Sequence, residues 1–418
     1  MQIQKDAQKM IANIIADNMP KEAVLNALRE RKFRENIYIV AIGKAAWTMA
    51  QAAVEFLGSK LKKGIVVTKY GHSQGPLANI EIYESGHPVS DENTIIATQK
   101  CIDLAETLTA GDELLFLVSG GGSALFEKPL EGINLADIQD VTSQFLASGA
   151  DIVEINMVRK RFSAVKAGRF AKIAAPAKIF AVILSDVLGD RLDSIASGPG
   201  VPDEATVQDA CKVAEKYNIK LTDLQRKYLM EETPKDIANV DTIITGSVRT
   251  LCDSAAKTAM DLGYKPILLT TVLHCEASEA GRFLAAIASD VHNGILEEGG
   301  IFKKPCAIIA GGETVVTIKG KGKGGRNQEL ALTAAKGIAG LNDILIFSLG
   351  SDGTDGPTDA AGGIVDGDTL FKLKDKGLDI DKILSDNDSY NGLREVEGLI
   401  VTGPTGTNVN DVAVVLCR

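Results

Sequence analysis

Three segments of this chain share one layout: an apolar strand-like run, a glycine-rich turn, then a cation or hydroxyl where small residues open a helix. They are Ile37–Ile42 before Gly43-Lys44-Ala45-Ala46, Leu114–Val118 before Ser119-Gly120-Gly121-Gly122-Ser123, and Val315–Ile318 before the run from Gly320 to Asn327. Strand and helix in alternation predict a parallel sheet covered by helices. A helix N-terminus carries partial positive charge and unpaired N–H groups, so Lys44 and Arg326 are unfavourable there unless an anion lies beside them. The natural anion for such turns is a polyphosphate, held by backbone N–H groups and the helix end.

The alternation runs through the chain. Helical periodicity over Ile11–Leu28 precedes strands at Ile37–Ile42, Gly64–Thr68, Glu81–Glu84, Leu114–Val118 and Ile179–Leu184, with helices between them. The polar stretch from Met230 to Asp236 interrupts the pattern. A second set follows, with strands at Asp241–Ile244, Ile267–Thr270, Cys306–Ile309, Val315–Ile318, Ile344–Leu349 and Asp411–Leu416. A chain of 418 residues exceeds what one core usually supports, so two α/β domains are expected, 1–235 and 236–418.

A net charge of −10 argues against a general nucleic-acid or membrane-surface role, because both need basic faces. The N-terminus leads into an amphipathic helix, and no apolar run reaches membrane-spanning length, so the cytoplasm is the expected address. Six cysteines without a CxxC pair predict free thiols and no structural metal.

Gly120-Gly121-Gly122 exceeds what turn geometry alone demands, and Ser123 at the helix entrance completes a nest for a phosphate or carboxylate. The third turn matches GxGxxG through Gly320, Gly322 and Gly325, which makes an NAD-dependent dehydrogenase the rival expectation. Against that rival, Lys319, Lys321, Lys323 and Arg326 bring more positive charge than a pyrophosphate cradled by N–H groups needs. No GxxxxGK[ST] occurs, which disfavours a P-loop enzyme.

Acidic turns follow two strands: Ser185–Asp190, with Asp186 and Asp190, and Gly350–Asp359, with Asp352 and Asp355. Both stand where open α/β sheets place ligands, and hard carboxylate oxygens suit Mg²⁺. Taken singly, each aspartate equally suits a turn former or helix cap. His72 and His87 lie in loops. Arg159-Lys160-Arg161, with Lys166 and Arg169, reads either as a solvated helix face or as a substrate-carboxylate site shared with Asn156.

The segments IGKAAWTMA, VTKYGH, GHPVSDE, VSGGGSAL, NMVRKRFSAVKAGR, LSDVLGD with IASGP, GGETVVTIKGKGKGGRNQELAL, GSDGTDGPTDAAG and GPTGTNVNDV resemble, in order, those of the type II glycerate kinases, the glycerate 2-kinase/MOFRL family. The resemblance implies an N-terminal Rossmann-like domain with a mostly parallel sheet, a C-terminal domain with a mixed sheet, and a cleft between them. It implies ATP- and Mg²⁺-dependent phosphorylation of D-glycerate, chiefly to 2-phosphoglycerate in Entner–Doudoroff-type or serine and glyoxylate metabolism. Some relatives bear the label hydroxypyruvate reductase, so NAD(P)-dependent reduction stays as the alternative. The family's two essential cations match Lys44 and Arg326. Departures are Gly200 where threonine is frequent, Arg161 where histidine is common, and Cys275 in place of a glycine; they imply a local difference in glycerate orientation.

The expected mechanism is in-line transfer of the γ-phosphoryl group to a glycerate hydroxyl, with Lys44 and Arg326 neutralising charge from opposite domains on closure. ATP and glycerate are cradled by Ser119, Gly120, Gly121, Gly122 and Ser123, and by Gly322, Gly324, Gly325 and Asn327. His87, Asn156, Arg159 and Lys160 bind substrate. Asp186, Asp190, Asp352 and Asp355 are the Mg²⁺ candidates. No nucleic-acid or membrane partner is expected, and the chain is a monomer or small homo-oligomer.

Overall fold

Six strands of the N-terminal half form one sheet, and strand periodicity explains why it is covered on both sides. In this computed structural model, which describes residues 2–296 and 300–418, the strands are β1 (Ile37–Ile42), β2 (Leu61–Lys69), β3 (Ile80–Ser85), β4 (Glu113–Val118), β5 (Lys178–Leu184) and β6 (Val240–Gly246). Their order is β3-β2-β1-β4-β5-β6, and β3, β2, β1, β4 and β5 pair in parallel. Alternate residues point to opposite faces. Val40, Ile42, Leu114, Phe116, Val118, Ile179 and Ile183 pack toward one core with Ala97, Cys101 and Phe170. Ile37, Ile39, Ala41, Leu115, Leu117 and Val182 face the other, with Val24, Leu28, Trp47 and Met49. A separate cluster around Val141, Phe145, Ile155, Val158 and Phe162 holds a small helical subdomain together.

The strand order reverses direction between β1 and β4, and ligands of open α/β sheets lodge at the carboxyl ends on either side of such a reversal. The turns after β1 and β4 are Gly43-Lys44 and Ser119–Ser123.

The second sheet is mixed. Its strands are β7 (Lys265–Leu273), β8 (Cys306–Gly312), β9 (Ile344–Gly350), β10 (Gly362–Asp366), β11 (Leu399–Ile400) and β12 (Asp411–Cys417), in the order β11-β10-β9-β12-β8-β7. β12 runs antiparallel between β8 and β9, which sets its first residue, Asp411, opposite Gly312 and Gly350 at their carboxyl ends. The helices Ala277–His292 and Arg326–Gly337 cover one face.

The chain divides into two compact units, Pro20–Thr245 and Met1–Met19 with Gly246–Arg418. The boundary therefore falls ten residues beyond the expected 235/236, because the strand expected to open the second set is β6, the edge of the first sheet. The polar stretch before it is no linker: Thr233 donates to Asp203 at 2.9 Å, and Arg161 donates to the Glu231 carbonyl at 2.7 Å. The periodicity over Ile11–Leu28 belongs to two helices, Gln2–Asp17 and Pro20–Arg29, separated by Asn18 and Met19. The first joins the C-terminal unit, where Tyr264 donates to Asp6 (2.8 Å) and Ser254 to Asp17 (2.7 Å).

The expected strand Val315–Ile318 does not form. Only an isolated bridge links Val315 to Glu276, and Ile318 is 80% exposed. The third segment therefore lacks the strand that would make it equivalent to the first two.

Candidate active site

At the β1/β4 reversal the backbone is packed too tightly for any residue but glycine. A Cβ on Gly43 (φ +113°) would lie 2.3 Å from Ser119 Oγ, and one on Gly120 would lie 2.3 Å from an Asp186 carboxylate oxygen. At Gly121 (φ +85°) it would meet His87 at 3.0 Å and the Lys44 stem at 3.3 Å, and at Gly122 the Ala196 methyl at 2.9 Å. The triple glycine thus exists to let Lys44, His87, Asp186 and Ala196 close on one turn.

The two turns differ in what they offer an anion. After β1 the donors are engaged: Gly43 N–H bonds Val67 (3.1 Å), Lys44 N–H bonds the Gly120 carbonyl (2.9 Å), and Ala45 N–H bonds Ser119 Oγ (3.0 Å). Among the described residues, neither Gly120 nor Gly121 gives its N–H to a backbone carbonyl. The first turn therefore contributes its lysine, and the second its backbone. No carboxylate of the described residues lies within 4 Å of the Lys44 ammonium, so none of them compensates its charge by an ion pair. Burial, reinforced by Lys44 and Lys69, pushes the His87 imidazole down to about 4 and keeps it neutral at physiological pH.

Beside the glycine turn, Ser123 and Ser197 share a hydrogen bond of 3.1 Å. Arg159 donates to Ser197 Oγ at 3.4 Å and to Asn156 Oδ1 at 2.8 Å, so Arg159 and Asn156 come together as expected. Lys160 is placed differently, because the helix Ile152–Arg159 ends and a 3₁₀ turn carries it inward. Its ammonium is buried against Asp203 at 2.7 Å, with side-chain exposures of 4% and 1%. Lys160→Met strands Asp203 in the interior and should cost about 3–5 kcal/mol. A thermal melt should show that loss, while turnover per folded molecule stays at the wild-type value.

In the second unit the helix-entry cation is already compensated. Arg326 holds Asp411 with two guanidinium bonds, Nε–Oδ2 at 2.6 Å and Nη2–Oδ1 at 3.1 Å, and reaches Glu313 through Nη1 at 2.6 Å. Burial pushes the Asp411 carboxyl up to about 6, against the opposing pull of Arg326. Asp355 supplies the anion at the helix end itself: it accepts from Gln328 N–H at 2.8 Å, and a Cβ on Gly325 would lie 2.3 Å from its carboxyl carbon.

The glycine-rich run that precedes this helix makes no open cradle. Lys319 and Gly320 N–H both bond the Asn387 side chain (2.7 and 3.0 Å), Lys321 N–H the Asp386 carboxylate (2.9 Å) and Lys323 N–H the Asp388 carboxylate (2.9 Å). Gly322 N–H bonds the Asp386 carbonyl at 2.8 Å. Gly320, Gly322 and Gly324 are glycines because the 386–389 loop lies where their Cβ atoms would be. Asn327 is buried and accepts from Ser348 at 2.6 Å. From Lys319 to Lys323 the N–H groups are thus spent on the protein's own 386–388 loop, two of them on its carboxylates.

Of the four Mg²⁺ candidates, Asp355 is committed to the helix end. Asp352 accepts from Thr354 N–H at 2.9 Å through Oδ1, in the turn after β9. Asp186 adjoins Gly120, while Asp190 sits in the Val187–Asp190 turn with φ +53°. Among the described residues no three metal-ligating side chains converge. A cavity of about 900 Å³ in the second unit is lined by Glu276, Lys319, Glu329 and Lys336 and includes none of the predicted site residues. Two of its cations are already paired, Arg282 with Glu279 and Lys336 with Asp381.

Residues 6–230 match the model of a domain of unknown function, DUF4147, and residues 306–411 match the MOFRL family. A D-glycerate 2-kinase of Thermotoga maritima is 52% identical over 412 residues, covering 99% of this chain and 98% of the relative. The crystal structure of a glycerate kinase from Thermotoga maritima superposes with a TM-score of 0.96 at 51% identity, with both chains covered in full. The chain belongs to the type II glycerate kinase family. A putative hydroxypyruvate reductase of Agrobacterium vitis is also 40% identical, over 96% of this chain and 92% of its own.

Within that family frame, the departure at Arg161 has a structural role, while the bond at Cys275 is made by its backbone. Arg161 is fully buried and donates to the carbonyls of Glu231 (2.7 Å) and Ala205 (2.9 Å) and to Glu232 (3.0 Å), which fastens the 200–235 segment. The Cys275 carbonyl receives Val315 N–H at 3.0 Å in the other unit. Sequence reasoning missed Glu313 and Asp411 as partners of Arg326, and Ser197 as a partner of Arg159. Their shared signal is position: Glu313 follows β8 and Asp411 opens β12, on adjacent strands.

Proposed function

We propose that this chain transfers the γ-phosphoryl group of ATP to D-glycerate in a Mg²⁺-dependent reaction, giving 2-phosphoglycerate. The observation that carries this is Lys44, a cation without a carboxylate partner among the described residues, set beside a glycine turn whose Gly120 and Gly121 N–H groups bond no backbone carbonyl there, at the sheet's reversal point. Phosphoryl transfer asks a protein for positioning and charge neutralisation rather than covalent chemistry, and these are what the turn supplies.

In this assignment Lys44 neutralises the transferring phosphoryl group, and the backbone of Gly120 and Gly121 holds phosphate oxygens. Arg159, with Asn156 and the Ser123–Ser197 hydroxyl pair, receives the glycerate carboxylate. The neutral His87 ring hydrogen-bonds a substrate hydroxyl without adding charge. Mg²⁺, when bound, neutralises charge on the phosphates; Asp186, beside the glycine turn, is the carboxylate that suits it, since Mg²⁺ takes one or two carboxylates plus phosphate oxygens. Arg326 is the second cation of the assignment, held rigid by Asp411 and Glu313.

Against NAD(P)-dependent reduction counts the Gly320–Gly325 run, which has no strand before it and whose N–H groups from Gly320 to Lys323 are already bonded to the 386–388 loop, so an open dinucleotide turn has no counterpart there. One pair of incubations discriminates: D-glycerate with Mg-ATP, and hydroxypyruvate with NADH or NADPH. ADP with a phosphoglycerate is the expected outcome, and nicotinamide oxidation without ADP would overturn it. The ³¹P signal of the product should be a doublet, from the single C2 proton, where 3-phosphoglycerate would give a triplet.

A further inference from the structure

Behind the glycine turn lies a lysine at 1% exposure, Lys166, and burying an ammonium is costly unless it is paired. No carboxylate of the described residues pairs with it; Glu127 attracts it from farther off and Arg159 opposes it. Its Nζ instead donates to three carbonyls, those of Gly122 (3.4 Å), Ser123 (3.0 Å) and Ala196 (3.1 Å). Burial pushes Lys166 down to about 7, whereas only the protonated amine has three N–H donors for three acceptors.

A second observation falls on the same spot. Ala167, Ala196 and Ser197 all adopt left-handed backbone, with φ of +52°, +51° and +60°. Such conformations are unfavourable for residues with a Cβ and persist where the surroundings over-determine them. Ala167 N–H bonds the Ser197 carbonyl (3.1 Å) and Gly168 N–H the Gly198 carbonyl (2.7 Å), which ties the lysine's own segment to the strained one. A buried unpaired charge and three strained residues thus join the Gly120–Ser123 turn to the segment that presents Ser197 to Arg159.

We propose that Lys166 is a positioning residue: its ammonium clasps the Gly122–Ser123 backbone to Ala196 and so fixes the distance between the phosphate turn and the carboxylate-binding Ser123–Ser197–Arg159 group. This rests on the glycerate kinase assignment above. Lys166 touches neither substrate; it acts through the two segments that do.

Lys166→Met removes the charge and donors but keeps the stem. The expected result is a variant with an unchanged far-UV spectrum and a cooperative melt, whose kcat/KM for D-glycerate falls about 10²-fold, the scale of a misplacement near 1 Å. Lys166→Arg, which restores a buried donor cation, should recover at least a tenth of the wild-type value. Because His87 rests on Gly121, its imidazole proton resonances should move in Lys166→Met. Should Lys166→Met not fold, Lys166→Gln carries the same comparison. Wild-type kcat/KM per folded molecule, or unmoved His87 resonances, would overturn the proposal and leave Lys166 a stabilising residue only. If the wild-type protein forms no phosphoglycerate, the functional assignment fails by itself, and the His87 resonances still decide whether the clasp sets the turn.

Discussion

Lys44→Ala is expected to lower kcat/KM for D-glycerate by about 10³-fold, within the range found when a single electrostatic partner of a transition state is removed. The fold should survive. Lys44 makes no ion pair among the described residues, and its backbone bond to Gly120 does not depend on the side chain. The melting transition should therefore stay within about 1 kcal/mol of wild type. Steady-state assay of ADP release with a parallel thermal melt checks both halves. Turnover near wild type would remove Lys44 from the reaction.

Physical reasoning on the sequence treated Lys44 and Arg326 alike, as helix-entry cations that each lack an anion. The structure separates them. At Arg326 the chain supplies three carboxylates of its own: Asp411 and Glu313 on the guanidinium and Asp355 at the helix end. At Lys44 it supplies none among the described residues. A run of glycine and lysine looks the same in sequence whether its N–H groups face a phosphate or a loop some sixty residues later. The Asp386-Asn387-Asp388 loop fills that place for Lys319–Lys323, and no local pattern announces it. The Gly120–Gly122 turn was legible because three consecutive glycines demand close neighbours, although nothing local identified those neighbours as His87, Asp186 and Ala196.

Strands buried on both faces, such as β1, β4 and β5, stood out as continuous apolar runs between turns. The error at Val315–Ile318 arose because an apolar β-branched run carries the same signal when it lies exposed along an edge. The domain boundary was misplaced for a related reason. Polarity marked Met230–Asp236 as a linker, but Arg161 and Asp203 hold that stretch, and sheet order, which assigns β6 to the first unit, is a tertiary property.

Arg326→Ala should cost both activity and stability, which distinguishes it from Lys44→Ala. With the guanidinium gone, Asp411, at 8% side-chain exposure, is left without its bidentate partner. Fully buried pairs lose about 3–5 kcal/mol when one member is removed; Arg326 keeps 32% of its side chain exposed, so about 2–3 kcal/mol is expected here. The loss should depend on pH. Asp411 already has a folded-state value of about 6, above that of an unfolded aspartate, and removing Arg326 raises it further. A carboxyl with a raised folded-state value has no effect below the unfolded value, weighs increasingly against folding as pH rises from the unfolded value to the folded one, and exerts its full penalty above that; raising the folded value further therefore widens the penalty between the old folded value and the new one. The stability gap between Arg326→Ala and wild type should therefore narrow as pH is lowered from 8 to 6, whereas Lys44→Ala should show no such trend. Pairing Arg326→Ala with Asp411→Asn removes the stranded charge and should restore most of the lost melting temperature. Turnover should stay at least about 10²-fold down, because the cation is still missing. Recovery of turnover in the double variant would show that Arg326 serves to hold Asp411, and would leave Lys44 as the one cation acting on the phosphoryl group.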